Sequence, residues 1–311
     1  MLDHRKIKKW NNMKIGLVLS GGGAKGAYEA GVIEALEDLD VTDKLAIVSG
    51  TSAGALNAAA MTCGDAERVK EMWSQIGYSD VLAANEKEEP EEKQRRSIVD
   101  VVENVKETIS SRKGQEKADE TPFLERIRPD QGLFSQSGLE KLLRDVVDIT
   151  AFDGPCTYYV CAYNTQKLTP EYFCLNDMDE GDVIAASLAS AAIPYVFEPV
   201  DIGGMKYADG GINDPIYGVK NSDPTPVLPL RGMELDTIIV VHLNVGDSTD
   251  YSVLSTVPII DIVPSRPLEP IKGTGTMNFT KGKIQTMIDR GYGDAMQLIA
   301  PKIISLLKQG A

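Results

Sequence analysis

Residues 45–60 read Leu-Ala-Ile-Val-Ser-Gly-Thr-Ser-Ala-Gly-Ala-Leu-Asn-Ala-Ala-Ala. The apolar run Leu45–Val48 predicts a strand, and the small residues Ala55–Ala60 are compatible with a helix. Between them Ser52 stands in a G-x-S-x-G pattern, which is typical of a nucleophile elbow that exposes a hydroxyl at a helix N-terminus. Because the same small residues also suit a helix that merely packs closely on a strand, other features have to decide between the two interpretations.

A glycine-rich loop lies upstream of this stretch. Ile15–Leu19 predicts a buried strand that runs into Gly21-Gly22-Gly23-Ala24-Lys25-Gly26, and a helix-like segment follows from Ala27 to Leu39. Three consecutive glycines leave the backbone free of side chains, so their N–H groups can converge on an anion or on a developing oxyanion. The loop therefore predicts an oxyanion hole.

The same loop also permits a different interpretation. Gly21, Gly23 and Gly26 satisfy G-x-G-x-x-G after a strand, and Asp40 or Asp43 lies at about the offset of a ribose-binding acid. Dinucleotide binding is therefore an alternative. It is weakened by the next strand, because that strand ends in the serine elbow, which a dinucleotide-binding protein does not require.

An aspartate followed by two glycines stands far downstream, at Asp209-Gly210-Gly211. Such a pattern predicts a flexible turn in which the carboxylate can be aimed with little steric hindrance. Taken alone, Asp-Gly-Gly is most often only a turn.

The order of these motifs, G-G-G-x-K-G, G-x-S-x-G and D-G-G, resembles the patatin-like phospholipase family, including its bacterial members. Further similarity runs through residues 132–135 and 185–199. The resemblance implies a serine lipid acyl hydrolase of the phospholipase A, lysophospholipase or esterase type, which acts through an acyl-serine intermediate.

The resemblance also implies a role for each matching residue. Ser52 would be the nucleophile and Asp209 the general base of a dyad, without a histidine. The predicted oxyanion-hole and supporting residues follow: Gly21, Gly22, Gly23 and Ala53 for the oxyanion hole, and Lys25, Gly26, Gly50, Gly54, Gly210 and Gly211 in support. Lys25 could orient the glycine turn, meet a phosphate headgroup, or be a solvated surface lysine.

The two histidines, His4 and His242, test the absence of a triad. His4 lies in a polar N-terminal segment, and His242 lies in the apolar run 237–243, which predicts a structural histidine inside a strand. The chain order Ser52, Asp209, His242 nevertheless matches an α/β-hydrolase triad. An α/β-hydrolase-type esterase is therefore a further alternative, although only one clear strand precedes the glycine loop here.

The pattern of elements predicts an α/β fold with three layers, α/β/α, around a largely parallel sheet, since its strands are continuous apolar runs. We expect an N-terminal basic segment over residues 1–12 and an acyl hydrolase domain over 13–311, with a charged insertion at about 85–120. That insertion could be a lid, a membrane-contacting helix or a solvated linker. Pro258–Pro270 predicts a surface loop, and Ile284–Leu307 predicts a helix.

Charge and composition limit the partners. The 311-residue chain carries a net charge of −14, which disfavours nucleic acid. We expect a lipid or ester substrate, no cofactor and no metal, since the four cysteines lack C-x-x-C spacing. No apolar stretch reaches the length of a membrane span, so we expect a cytoplasmic protein, with peripheral membrane contact as an open option. The sequence predicts no oligomeric state.

Overall fold

A computed structural model of the chain describes residues 10–61, 65–77, 81, 83–84, 132, 134–194, 196–211, 221–254, 256–269 and 279–308. The strands within these residues are β1 Ile15–Leu19, β2 Leu45–Thr51, β3 Ala83–Ala84, β4 Phe134–Ser135, β5 Thr157–Asn164, β6 Thr169–Cys174, β7 Val200–Ile202, β8 Met205–Asp209, β9 Thr237–Val241 and β10 Ile259–Ile262. The α-helices within them are α1 Gly26–Asp38, α2 Ala53–Ala60, α3 Ala66–Gln75, α4 Ser137–Val146, α5 Glu180–Ser190 and α6 Lys281–Lys308.

Eight of the described strands form one mixed sheet, in which β10, β9, β1, β2 and β5 run parallel. The predicted α/β fold with a largely parallel sheet is therefore confirmed. An antiparallel extension, β6, β8 and β7, was not predicted. One edge of β5 pairs with β6, and the other pairs first with β2, over residues 157–161, and then with β8, over residues 162–164.

The two faces of the sheet have different covers. Leu17 and Leu19 belong to the main core, which contains side chains from all six described α-helices. Val18 and Ile238 point to the opposite face, since side chains alternate along a strand, and they pack with Leu230 of a short 3-10 helix and with neighbouring loops. The sheet is thus the middle layer of three, as predicted.

Helices α1 and α6 cross at two glycines. A Cβ on Gly31 would lie 1.8 Å from the carbonyl oxygen of Ile288, and a Cβ on Gly291 would lie 1.9 Å from that of Tyr28. No side chain fits at either position, so the helix backbones are in direct contact. Hydrogen bonds from Tyr28 to Asp294 and from Tyr292 to Asp38 join the same two helices.

The predicted loop Pro258–Pro270 is corrected by the structure, because Ile259–Ile262 forms the edge strand β10 beside β9. Pro258 is tolerated because it precedes the strand, and its carbonyl accepts the amide of Ile238. The charged insertion at 85–120 and residues 1–9 of the basic segment lie outside the described residues. No helix in the described part of the chain has both the length and the apolarity to cross a membrane.

Candidate active site

Ser52 lies at a sharp turn between β2 and α2. Its backbone has φ 54° and ψ −119°, a conformation that is strained for a residue with a side chain. A Cβ on Gly50 would lie 2.2 Å from the carbonyl oxygen of Gly54, and one on Gly54 would lie 2.4 Å from that of Leu19. Both glycines are therefore required by close backbone packing around Ser52, which explains the G-x-S-x-G pattern physically.

The sheet brings Ser52 and Asp209 together. Along one edge of β5, Thr51 at the end of β2 pairs with Cys161, and Asp209 at the end of β8 pairs with the next residue, Ala162. Because β2 and β8 run in opposite directions, their C-terminal ends meet there. Ser52 Oγ donates a hydrogen bond of 2.6 Å to Asp209 Oδ2. Asp209 ends a strand, in contrast to the flexible turn predicted for it.

Asp209 is buried, with 2% of its surface exposed. Burial raises the pKa of its carboxyl from the ordinary 3.8 to about 6. The hydrogen bonds from Ser52 Oγ and from the Gly211 amide, the latter 2.8 Å long, favour the ionised form and offset only part of this rise. A carboxylate with such a pKa holds a proton more readily than a solvated one and is still largely ionised at pH 7.

Two further residues hold the site in place, and the sequence motifs did not indicate either of them. Ser190 Oγ accepts the Ser52 amide at 2.8 Å and donates to the Cys161 carbonyl at 2.5 Å. The Ala192 carbonyl accepts the Asp209 amide at 2.8 Å. Both lie in the similar stretch 185–199, so the resemblance marked the region, whereas the individual roles depend on tertiary contacts.

The glycine loop lies beside the elbow. Gly21 is next to Ser52, since a Cβ on Gly21 would lie 3.2 Å from the Ser52 Cβ. The Gly21 amide already donates to the Pro224 carbonyl at 2.8 Å, and this engagement argues against its predicted role as an oxyanion donor. The amides of Gly22, Gly23 and Ala53 have no acceptor among the described residues.

The two predicted supporting residues of the glycine loop, Lys25 and Gly26, are buried and make close contacts. Lys25 is 5% exposed, so the option of a solvated surface lysine is excluded. Its Nζ donates to Asn244 Oδ1 at 2.7 Å and lies 3.8 Å from Glu269 Oε1. A Cβ on Gly26 would lie 2.6 Å from the Ala53 Cβ, and this glycine therefore lets α1 approach the elbow closely.

Gly210 and Gly211 follow the carboxylate. A Cβ on Gly210 would lie 2.4 Å from the Cys161 carbonyl oxygen, so only glycine fits at this position. Gly211 is less restricted, because its nearest neighbours would lie 3.3 Å away. Close packing against β5 therefore requires glycine at position 210, whereas position 211 is only moderately crowded.

An apolar cavity of about 390 Å³, including its open part, adjoins Ser52. Its described lining residues are Gly23, Ser52, Ala53, Leu56, Trp73, Ile76, Val81, Leu139, Ala191, Ile193, Phe197 and Phe279. Ser52 supplies the hydroxyl among them, while Gly23 and Ala53 place two of the candidate donor amides at the same cavity. The apolar walls suit part of a lipid chain.

His242 has other partners than Ser52 and Asp209. It is buried directly after β9, and its Nε2 lies 2.8 Å from Asp261 Oδ1 and 3.4 Å from the Tyr251 hydroxyl. Within the described residues, the hydrogen-bond partners of Asp209 are Ser52 and the backbone at Gly211 and Ala192. The geometry therefore gives no support to a Ser52-Asp209-His242 triad.

Comparison with known proteins gives a match to the family model for patatin-like phospholipases over residues 17–219. The chain is 45% identical over 56 residues to the lysophospholipase nte1 of Aspergillus terreus, which is 18% of this chain and 4% of that protein. It is 29% identical over 212 residues to the uncharacterized protein YjjU of Escherichia coli, which is 65% of this chain and 47% of that protein. The chain thus spans less than half the length of both relatives.

A search of solved structures gives a likeness to VipD from Legionella pneumophila, with a TM-score of 0.44 and 16% sequence identity over 93% of this chain and 67% of that chain.

Proposed function

This chain belongs to the patatin-like phospholipase family, and from that premise we propose that it is a lipid acyl hydrolase whose nucleophile is Ser52 and whose general base is Asp209. The observation that carries the proposal is the hydrogen bond of 2.6 Å between Ser52 Oγ and Asp209 Oδ2, with Ser52 in the lining of an apolar cavity. This distance lies in the range from which a base can remove a proton directly.

The reaction proceeds in two steps. Ser52 Oγ attacks the ester carbonyl carbon while its proton moves to Asp209, and the leaving alcohol then takes that proton as the ester bond breaks. Water next attacks the acyl-Ser52, its proton moves to Asp209, and Ser52 Oγ recovers a proton as the fatty acid leaves. Asp209 serves as base and as acid in turn, and a pKa near 6 suits both roles.

The oxyanion of each tetrahedral intermediate is stabilised by backbone amides. Gly22, Gly23 and Ala53 are the proposed donors, because their amides are unengaged among the described residues. Each such donor contributes about 3 kcal/mol of transition-state stabilisation in comparable sites. The Gly21 amide donates to the Pro224 carbonyl instead and thereby anchors one end of the loop.

The substrate is an ester with an apolar acyl chain. The cavity beside Ser52 is lined by aliphatic and aromatic side chains from α2, α3 and α4, and by Phe279. An acyl chain in this cavity would place its carbonyl at Ser52, next to the Gly23 and Ala53 amides. Phospholipids, lysophospholipids and simpler esters all carry such a group.

A serine-directed fluorophosphonate tests the proposal. We expect the folded protein to acquire one adduct, located on the Ser52 peptide by mass spectrometry, and to hydrolyse 4-nitrophenyl esters of fatty acids. Ser52→Ala and Asp209→Asn should each lower kcat by at least about a thousandfold. His242→Ala should keep its hydrolytic activity. Loss of activity in folded His242→Ala would instead favour the Ser52-Asp209-His242 triad. Folded protein that binds a nicotinamide nucleotide and carries no Ser52 adduct would favour the dinucleotide alternative.

A further inference from the structure

Glu29 is a buried acidic residue that has no cationic partner among the described residues. It lies in the first turn of α1 and is 0% exposed, and no cation lies within ion-pair distance of it among the described residues. Burial raises the pKa of Glu29 well above its ordinary value, and the hydrogen bonds from Asn57 and Ser20 lower it only in part. Placing such a group in a core is costly, so its contacts need an explanation.

Glu29 has two hydrogen-bond partners, Ser20 and Asn57, and Asn57 extends the network to Gly26 and Trp73. Its Oε1 accepts the Ser20 amide, directly before the glycine loop, at 2.6 Å. Its Oε2 accepts Asn57 Nδ2, from the helix that follows the nucleophile, at 2.8 Å. The same Nδ2 donates to the Gly26 carbonyl at 3.0 Å, and Asn57 Oδ1 accepts Trp73 Nε1, from the cavity wall, at 2.7 Å.

We infer that Glu29 is a positioning residue for the proposed reaction: it fixes the oxyanion loop relative to the nucleophile helix and to the wall of the cavity. The inference rests on the proposed function, because it concerns the distance between the Gly22 and Gly23 amides and the carbonyl that Ser52 attacks. Glu29 is not among the described residues that line the cavity, and its side-chain hydrogen bonds within the described residues are to Ser20 and Asn57, through which it acts.

The hydrogen-bond pattern explains why a carboxylate is needed. Asn57 uses its amide nitrogen for two acceptors and its oxygen for Trp73, so its orientation is fixed. Glu29 therefore faces two N–H donors, one on each oxygen. In Glu29→Gln, the new amide nitrogen would have to face either the Ser20 amide or Asn57 Nδ2. Both are hydrogen-bond donors, so one of the two hydrogen bonds would be lost.

The first test is the kinetics of Glu29→Gln with a 4-nitrophenyl fatty acyl ester. We expect kcat to fall about 10- to 100-fold, because a displacement near 1 Å at the reacting groups has effects of this size, while KM stays within about threefold. The pH midpoint near 6 that belongs to Asp209 should not move. The matched control is Glu34→Gln on the same helix, which loses only a partly exposed ion pair with Lys70 and should keep both parameters.

The second test is the double variant Glu29→Gln/Asn57→Asp. The double variant and Asn57→Asp alone both lose the bond from position 57 to the Gly26 carbonyl. Only in the double variant can the amide at position 29 donate to the new carboxylate while its oxygen accepts Ser20, so we expect its kcat to exceed that of Asn57→Asp. If Glu29→Gln fails to fold, this comparison alone decides: a higher kcat in the double variant supports the inference, and a kcat equal to or below that of folded Asn57→Asp overturns it. Unchanged kcat in folded Glu29→Gln also overturns it.

Reaction with a fluorophosphonate separates the two proposals, since the phosphonyl oxygen occupies the oxyanion hole. If the unaltered protein does not react at Ser52, the proposed function fails. If the unaltered protein and Glu29→Gln react at the same limiting rate, only the role of Glu29 fails.

Discussion

At the scale of single residues, Asp209 sets the pH dependence of the proposed reaction. Its carboxylate must be ionised to take the Ser52 proton, and its pKa is about 6. We therefore expect kcat/KM to rise tenfold per pH unit below about pH 6 and to level off above it. A profile measured between pH 4.5 and 8.5 with a neutral ester checks this. A plateau that extends unchanged down to pH 4.5 would contradict it.

The same carboxylate lowers stability at neutral pH. The pKa of Asp209 is 3.8 in the unfolded chain and about 6 in the folded one, so the folded state binds the proton more tightly. The tighter proton binding of the folded state contributes fully to the free energy of unfolding below pH 3.8, and this contribution is lost as the pH rises through 6. The difference between the two pKa values corresponds to a loss of about 3 kcal/mol in the free energy of unfolding at high pH.

Asp209→Asn should therefore increase the free energy of unfolding at pH 8, by up to about 3 kcal/mol, and by about half as much at pH 5. The amide can still bond to Ser52 and to Gly211, so no buried polar group is left unpaired. Urea denaturation at both pH values measures the effect. Equal stability of the two proteins at pH 8 would mean that burial of the charge costs little.

The residues of the motifs could be predicted from sequence, whereas their supports could not. Ser52 and its glycines follow one another in the chain, so local pattern was enough to select them. Ser190 and Glu29 act through hydrogen bonds to residues 138 and 28 positions away, respectively. A serine or glutamate inside a helix carries no local sign of such a partner, and only the packed structure identifies it.

At the scale of elements, the crossing of α1 and α6 yields a paired prediction. Gly291→Ala should lower the free energy of unfolding by about 3 kcal/mol, because its Cβ would lie 1.9 Å from the Tyr28 carbonyl oxygen. Gly293→Ala, two residues further on the same helix, has no atom within 4 Å of its Cβ and should raise stability by about 0.5–1 kcal/mol. Urea denaturation separates the two, and similar effects of both would show that the helices can move apart freely.

Elements with strong apolar patterns were predicted well and the others were missed. The strand predicted at Ile15–Leu19 has these same bounds in the structure. The antiparallel β6, by contrast, is a partly exposed strand with the polar sequence Thr-Pro-Glu-Tyr-Phe-Cys, which does not resemble a buried strand. Strand β10 was hidden between Pro258 and Pro264, which flank it without interrupting its hydrogen bonds.

At the scale of the whole molecule, the proposed dyad depends on strand register. Ser52 and Asp209 are 157 residues apart in sequence, and they meet because β2 and β8 end on adjacent residues of β5. No local pattern encodes which residues of β5 pair with each strand. The resemblance to the family predicted that Ser52 and Asp209 act together. The pairing of β2 and β8 with β5 is the physical reason that they meet.

The cavity also combines distant parts of the chain, since Phe279 lies beyond the matched region 17–219. Phe279→Ala should enlarge the cavity and raise the ratio of kcat/KM for dodecanoyl over butanoyl 4-nitrophenyl esters, by about three- to tenfold. This ratio does not depend on the fraction of protein that is folded. Leu228→Ala, at an exposed position on the other face of the sheet, is the control. An unchanged ratio in Phe279→Ala would place the acyl chain elsewhere.

The contact between α1 and α6 has a consequence for synthesis on the ribosome. About 240 residues separate the end of α1 from the start of α6, and at translation rates of about 5–20 residues per second the second helix emerges roughly 12 to 50 seconds after the first. During that interval the face of α1 around Gly31 lacks the backbone of α6 that packs on it in the folded protein. Nascent chains of this protein should therefore bind chaperones that recognise apolar segments until α6 has emerged.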